Sequence, residues 1–177
     1  MRSFTILSAA ALLLAACAPA SEQAPPADAV QEQVARLLTT DTRTVLAGEA
    51  ALALTHQCSR ISPGPVESQW TPTAAELDEA EDALILLLSQ QLEAAGQSPS
   101  PGDYYRQYAG FVIGGRRVIY VNGVSEGGID VDPGPAFHPG EWRTHAIQIC
   151  DGGTMTFGAE YDVETKAFSN FVFNGAI

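Results

Sequence analysis

The feature that most constrains this chain is a change of period near Gly96. Upstream, in "TPTAAELDEAEDALILLLSQQLEAAG", Leu77, Ala80, Leu84, Leu88, Leu92 and Ala95 recur at helical spacing and form one apolar face. Thr71 before Pro72, or Thr73 with Glu76 three residues on, supplies an N-cap and a capping box. Glu76, Asp78, Glu79 and Asp82 sit in the first turns, where the helix dipole favours negative charge. Gly96 is placed to end the helix. Leu86 falls opposite the main stripe, as a contact with another element or an exposed leucine.

Downstream of "GQSPSPGD" the alternation has period two. "YYRQYAGFVI" and "RRVIYVNGV" flank Gly114-Gly115, a pair suited to a tight turn with positive φ. "HAIQIC" and "TMTFGAEYD" flank Asp151-Gly152-Gly153, and "AFSNFVFNG" follows. These segments predict five strands joined mostly by hairpins, hence antiparallel. Upstream of the long helix, Ala29 to Leu38 and Thr42 to His56 have helical spacing, and "SRISPGPVESQW" is a loop broken by Pro63, Gly64 and Pro65. The expected fold class is α+β: N-terminal helices, then a roughly five-stranded antiparallel β-meander packed on the long helix. In element order this resembles cystatin-like curved sheets wrapped on a helix.

The N-terminus carries the location signal. Arg2 precedes an apolar run, Phe4 to Ala16, too short to span a bilayer core that needs roughly 20 residues. A basic start, short apolar stretch and small-residue end fit a cleaved secretory signal. Leu14-Ala15-Ala16-Cys17 resembles the lipobox of bacterial lipoproteins. That resemblance implies a diacylglyceryl group on the Cys17 thiol, removal of residues 1–16 as a signal peptide, and acylation of the new amino terminus. Ala18 is not the aspartate that marks inner-membrane retention in enteric lipoproteins, which favours an outer-membrane anchor facing the periplasm. Residues 17–28, with "APASEQAPPAD", are too small and polar to fold and form a tether. Residues 29–177 form a single α+β domain.

With Cys17 assigned to lipid, Cys58 and Cys150 remain as an even pair in an oxidising compartment, and a disulfide between them is expected. No C-x-x-C motif argues for catalytic thiols instead.

The chain carries 21 Asp and Glu against nine Lys and Arg, a formal net charge of −12, and Lys166 is its single lysine. Such a surface disfavours nucleic acid and anionic lipid and attracts basic proteins or divalent cations.

The loop "SEGGIDVDPGPAFHPGEW" is the candidate metal site: Asp130, Asp132 and Glu141 occupy the first, third and twelfth positions of an EF-hand-like spacing. Gly134 and Pro135 stand where that loop wants a ligand and a glycine, so a proline-stiffened loop is the default. His138 and His145 are separated by no compact zinc spacing. No G-x-S-x-G elbow marks a nucleophile, and no pair of carboxylates is singled out for glycoside hydrolysis. Tyr104, Tyr105, Arg106, Tyr108, Arg116, Arg117, Tyr120, Trp142 and Arg143 concentrate on three predicted strands. Tyr, Trp and Arg are common interface anchors, and Tyr105, Arg106, Tyr108, Arg117, Trp142 and Arg143 are the candidate interface. The same residues also suit a sheet face where arginines stack on rings and pair with acids.

These readings point to a lipid-anchored envelope protein with a non-catalytic binding, accessory or inhibitor role toward a basic envelope protein such as a lysozyme-like hydrolase. No cofactor is expected. The alternatives are a divalent-metal or small-ligand protein using loop 126–142, or an envelope hydrolase without a recognisable motif.

Overall fold

The computed structural model describes residues 42–98, 100–129 and 141–176. The signal segment, Cys17, the tether, the helix expected at 29–38, Asp130, Asp132 and His138 lie outside the described residues.

The described chain is mixed α+β, a six-stranded and mostly antiparallel sheet with one long helix. In chain order the elements are β1 (Arg43–Val45), α1 (Gly48–Ala53), β2 (Val66–Trp70), α2 (Ala74–Ala94), β3 (Tyr104–Ile113), β4 (Arg116–Ser125), the single turn α3 (Glu126–Ile129), β5 (Thr156–Asp162) and β6 (Ala167–Phe173).

The long helix starts where its capping signal predicts. The Thr73 hydroxyl accepts from Glu76 N–H, and the Glu76 side chain accepts from Thr73 N–H in return. Its apolar stripe is buried: Leu77, Ala80, Leu84, Leu88 and Leu92 are at most 3% exposed. They pack on Tyr104, Tyr108, Ile119, Val121, Phe157, Ala159 and Tyr161 from one face of the sheet.

β3 and β4 form the central hairpin, paired from Tyr104↔Ser125 to Ile113↔Arg116, with Gly114 and Gly115 at φ 58° and 72° in the turn. Only residues tolerant of the left-handed region close such a turn without strain. β5 continues antiparallel to β4, and β6 to β5. Where Phe157 crosses β4, Gly123 provides the room: a Cβ there would stand 1.9 Å from the ring.

The other side of β3 is shared by two short strands laid end to end. β1 pairs parallel with Arg106–Tyr108, and β2 pairs antiparallel with Gly110–Ile113. Neither was expected. The helix read from Thr42 to His56 gives way at its start to β1, because Thr42, Thr44 and Val45 are β-branched and find a free strand edge. Helix remains only from Gly48 to Ala53. β2 occupies the end of the segment read as loop.

The expected strand "HAIQIC" does not form; residues 146–149 are irregular. Side chains replace the ladder there. The Gln107 amide nitrogen donates to the carbonyls of Trp142 and His145, and its oxygen accepts from Ile147 N–H at 2.8 Å. Asn122 Nδ2 donates to Ile147 O at 3.0 Å, and Asn174 Nδ2 donates to Ile149 O. A segment whose backbone groups are satisfied this way has no need of a neighbouring strand.

That segment and α1 cover the second face of the sheet. Leu46, Ala51 and Leu54 pack on Ala109, Phe111, Val118 and Tyr120, while Trp142 and Ile147 pack on Val124. Cys58 and Cys150 are bonded as expected, with Cα atoms 5.3 Å apart across 92 residues of sequence. Beyond β6 no strand pairs among the described residues. β6 carries Asn170 at φ 54°, and its register with β5 shifts between Gly158 and Glu160.

Candidate binding surface

The aromatic and arginine group singled out in the sequence is divided by the fold. Period two sends Tyr104, Arg106 and Tyr108 beneath α2, and Tyr105 with Gln107 to the opposite face. Tyr108 is fully buried, and its hydroxyl donates to Glu81 of α2. Burial, reinforced by the Glu81 charge, pushes its ionisation well above the usual tyrosine range. Arg106 pairs with the same Glu81 at 2.7 Å and is largely buried. These residues are therefore core, not surface anchors. Tyr105 meets Trp142 edge-on at 5.1 Å, and the Arg143 guanidinium lies 4.3 Å over the Trp142 ring. Arg117 lies 4.0 Å over Trp70 and pairs with Glu76 at 2.6 Å. Burial pushes the Glu76 carboxyl up, but hydrogen bonds from Thr73 together with Arg117 hold it below the ordinary value.

The cations show a consistent pattern. Arg43 pairs with Asp78, Arg106 with Glu81, Arg116 with Asp162, Arg117 with Glu76, and Lys166 with Glu79. Arg60 lies on the second face and donates to the side-chain oxygens of Asn122 and Asn174 and to the Tyr120 hydroxyl. Burial raises the Tyr120 ionisation, against the opposing pull of Arg60. No motif marked Arg60 in the sequence. Its partners lie 60 or more residues away, so only the fold reveals its role. Glu49, Asp82, Glu93, Glu126 and Glu164, by contrast, are exposed and have no cation paired to them among the described residues.

The outward side of α2 concentrates this imbalance. Ile85 is 51% exposed and Leu86 64% exposed. Asp82 lies one turn before them, Glu93 two turns after, and Asp78 and Glu79 stand at the N-terminal end of the same side. The sequence marked Leu86; Ile85 was missed because it lies at the margin of the buried stripe.

Of the metal candidates only Glu141 and His145 are described, 3.7 Å apart as an exposed pair. Among the described residues no group of three or more His, Cys, Asp or Glu is placed to hold a metal. An open cavity of about 280 Å³ lies between the end of α2 and the start of β3, lined by Gln97, Ser98, Ser100, Asp103, Tyr104 and Ser125 among others. The Tyr104 hydroxyl beside it is engaged, donating to Thr154 O at 2.6 Å.

Compared with known proteins, the chain matches no family model, no curated protein and no solved structure.

Proposed function

We propose that this chain is a lipid-anchored cell-envelope lipoprotein whose α+β domain binds a basic envelope protein as an accessory or inhibitor subunit, without catalysing a reaction. Cys17 carries the lipid after removal of residues 1–16, on an outer membrane facing the periplasm. Each buried methylene contributes about 0.8 kcal/mol, and two or more acyl chains make such an anchor stable.

One observation carries the binding reading: among the described residues, most of the few cations are paired with carboxylates of the domain itself. Five of them are tied to carboxylates by the fold, so the large acidic excess is expressed outward. A surface of one sign steers an oppositely charged protein and speeds its encounter.

Two measurements test this. Intact mass of the purified protein should show Cys17 diacylated at a new amino terminus; an unmodified residue 17 removes the anchor. Crosslinking and pull-down from intact envelopes, with mass spectrometry, should return a basic protein that elutes as salt is raised. Captured proteins that are acidic or indifferent to salt overturn the binding reading.

A further inference from the structure

We infer that the outward side of α2, centred on Ile85 and Leu86, is the docking surface, and that its occupant is a protein presenting an apolar centre within a basic rim. This rests on the proposed binding role and gives it a location.

Helical geometry makes one continuous strip. Asp82 is three and four residues before Ile85 and Leu86, and Glu93 is eight and seven after, so all four project from the same flank of the helix. Ser89 lies between them; its hydroxyl donates back to Ile85 O at 2.9 Å and leaves the strip low and uncharged there. Two adjacent branched aliphatic side chains, each more than half exposed, form an apolar centre that the buried stripe does not require. α2 contains no basic residue to neutralise its flanking acids. Its C-terminal end, which bears the negative pole of the helix dipole, also lacks a basic residue in its last turn.

The cations that reach α2 are paired with other acids of the helix, Arg106 with Glu81 and Arg117 with Glu76 among them. Arg43 is held by Asp78 and Lys166 by Glu79, both at the N-terminal end of the helix, and among the described residues no cation pairs with Asp82 or Glu93 beside the aliphatic pair. An acidic or purely apolar partner would meet repulsion or desolvated carboxylates; a basic rim around an apolar knob satisfies both features.

Position-specific photocrosslinking of the full chain in the producing cells tests the assignment. A photoreactive residue replaces Gln90, exposed beside the strip, or Thr144, exposed on the opposite side of the domain. The expected result is an adduct from position 90, absent from position 144, to a protein with an isoelectric point above about 9. Ile85→Ser/Leu86→Ser should reduce it at least about tenfold, and Asp82→Asn/Glu93→Gln should reduce it while weakening its salt sensitivity. Circular dichroism should show both variants folded. A basic adduct from position 144 alone, or one indifferent to Ile85→Ser/Leu86→Ser, overturns this surface and leaves the binding role standing. An adduct from position 90 to residues 1–41 of the chain itself, to lipid or to an acidic protein also overturns the surface. No basic adduct from either position, with none in the envelope pull-down, overturns the binding role as well.

Discussion

The two faces of the sheet are closed by different physics. Under α2 the contact is mainly apolar: leucines of one stripe on tyrosines, phenylalanine and branched residues of β3, β4 and β5, with the largely buried ion pair Glu81–Arg106 bonded to Tyr108. On the second face the short helix packs through Ala51 beside Leu46 and Leu54. The irregular segment is fastened by Gln107, Asn122 and Asn174, with Arg60 joining the two asparagines, and is then locked by a disulfide. The first face depends on volume; the second also buries apolar residues but adds direction where its cover is irregular. A helix satisfies its own backbone and needs only a stripe to bury. An irregular segment must find partners for each N–H and C=O, so its cover on the sheet is written in amide side chains.

The largest test of this contrast is the disulfide. Replacing both Cys58 and Cys150 by serine releases a closure of 92 residues and should lower stability by roughly 4–5 kcal/mol on the chain-entropy account, measured by chemical denaturation. Hydrogen exchange should then quicken at 141–151 before it quickens in α2; equal loss on both faces would break the comparison. Next is the apolar face. Leu88→Ala, at a fully buried position, should cost about 3 kcal/mol, whereas Leu88→Met should cost less than about 1.5 kcal/mol.

Gln107→Leu asks the opposite of the second face, where shape is nearly kept and direction lost. It strands the carbonyls of Trp142 and His145 and the N–H of Ile147, and should cost about 2 kcal/mol with faster exchange confined to 141–149. If Gln107→Leu proves neutral, the amide account of that face fails.

The smallest effect concerns acid. Asp162 accepts from the N–H groups of Thr165 and Glu164 at 3.0 Å each, and pairs with Arg116 at 2.9 Å. The Thr165 bond is the largest influence on its carboxyl, which is held below its ordinary value against the effect of burial. Because its folded value is depressed, the stabilisation is present above the ordinary carboxylate range and is lost as pH falls through the lowered value. Asp162→Asn should therefore cost about 1 kcal/mol at neutral pH, with the gap to wild type closing below about pH 4.

The same contrast explains what the sequence made legible. α2 and the β3–β4 hairpin announce themselves through local signals: a capping box, a stripe and two glycines in a turn. β5, β6 and the disulfide follow from alternation and cysteine parity. The segment "HAIQIC" alternates as a strand would, yet the side chains that satisfy it stand on β3 and β4, tens of residues away. β1 and β2 are short pieces whose pairing depends on the exposed side of β3, a property of the assembled sheet. At the candidate surface, Leu86 was visible as an apolar residue off the stripe. Its acidic surroundings became meaningful only once Arg43 and Lys166 were seen to be occupied elsewhere.

The outer rim of β6 has a consequence for behaviour at high concentration. Among the described residues β6 is an edge strand rich in phenylalanine, the kind of template on which another copy could stack. Here a left-handed asparagine and a slipped pairing make that rim uneven, so an incoming straight strand finds mismatched donors and acceptors. At this edge, then, a second copy meets no regular ladder to extend.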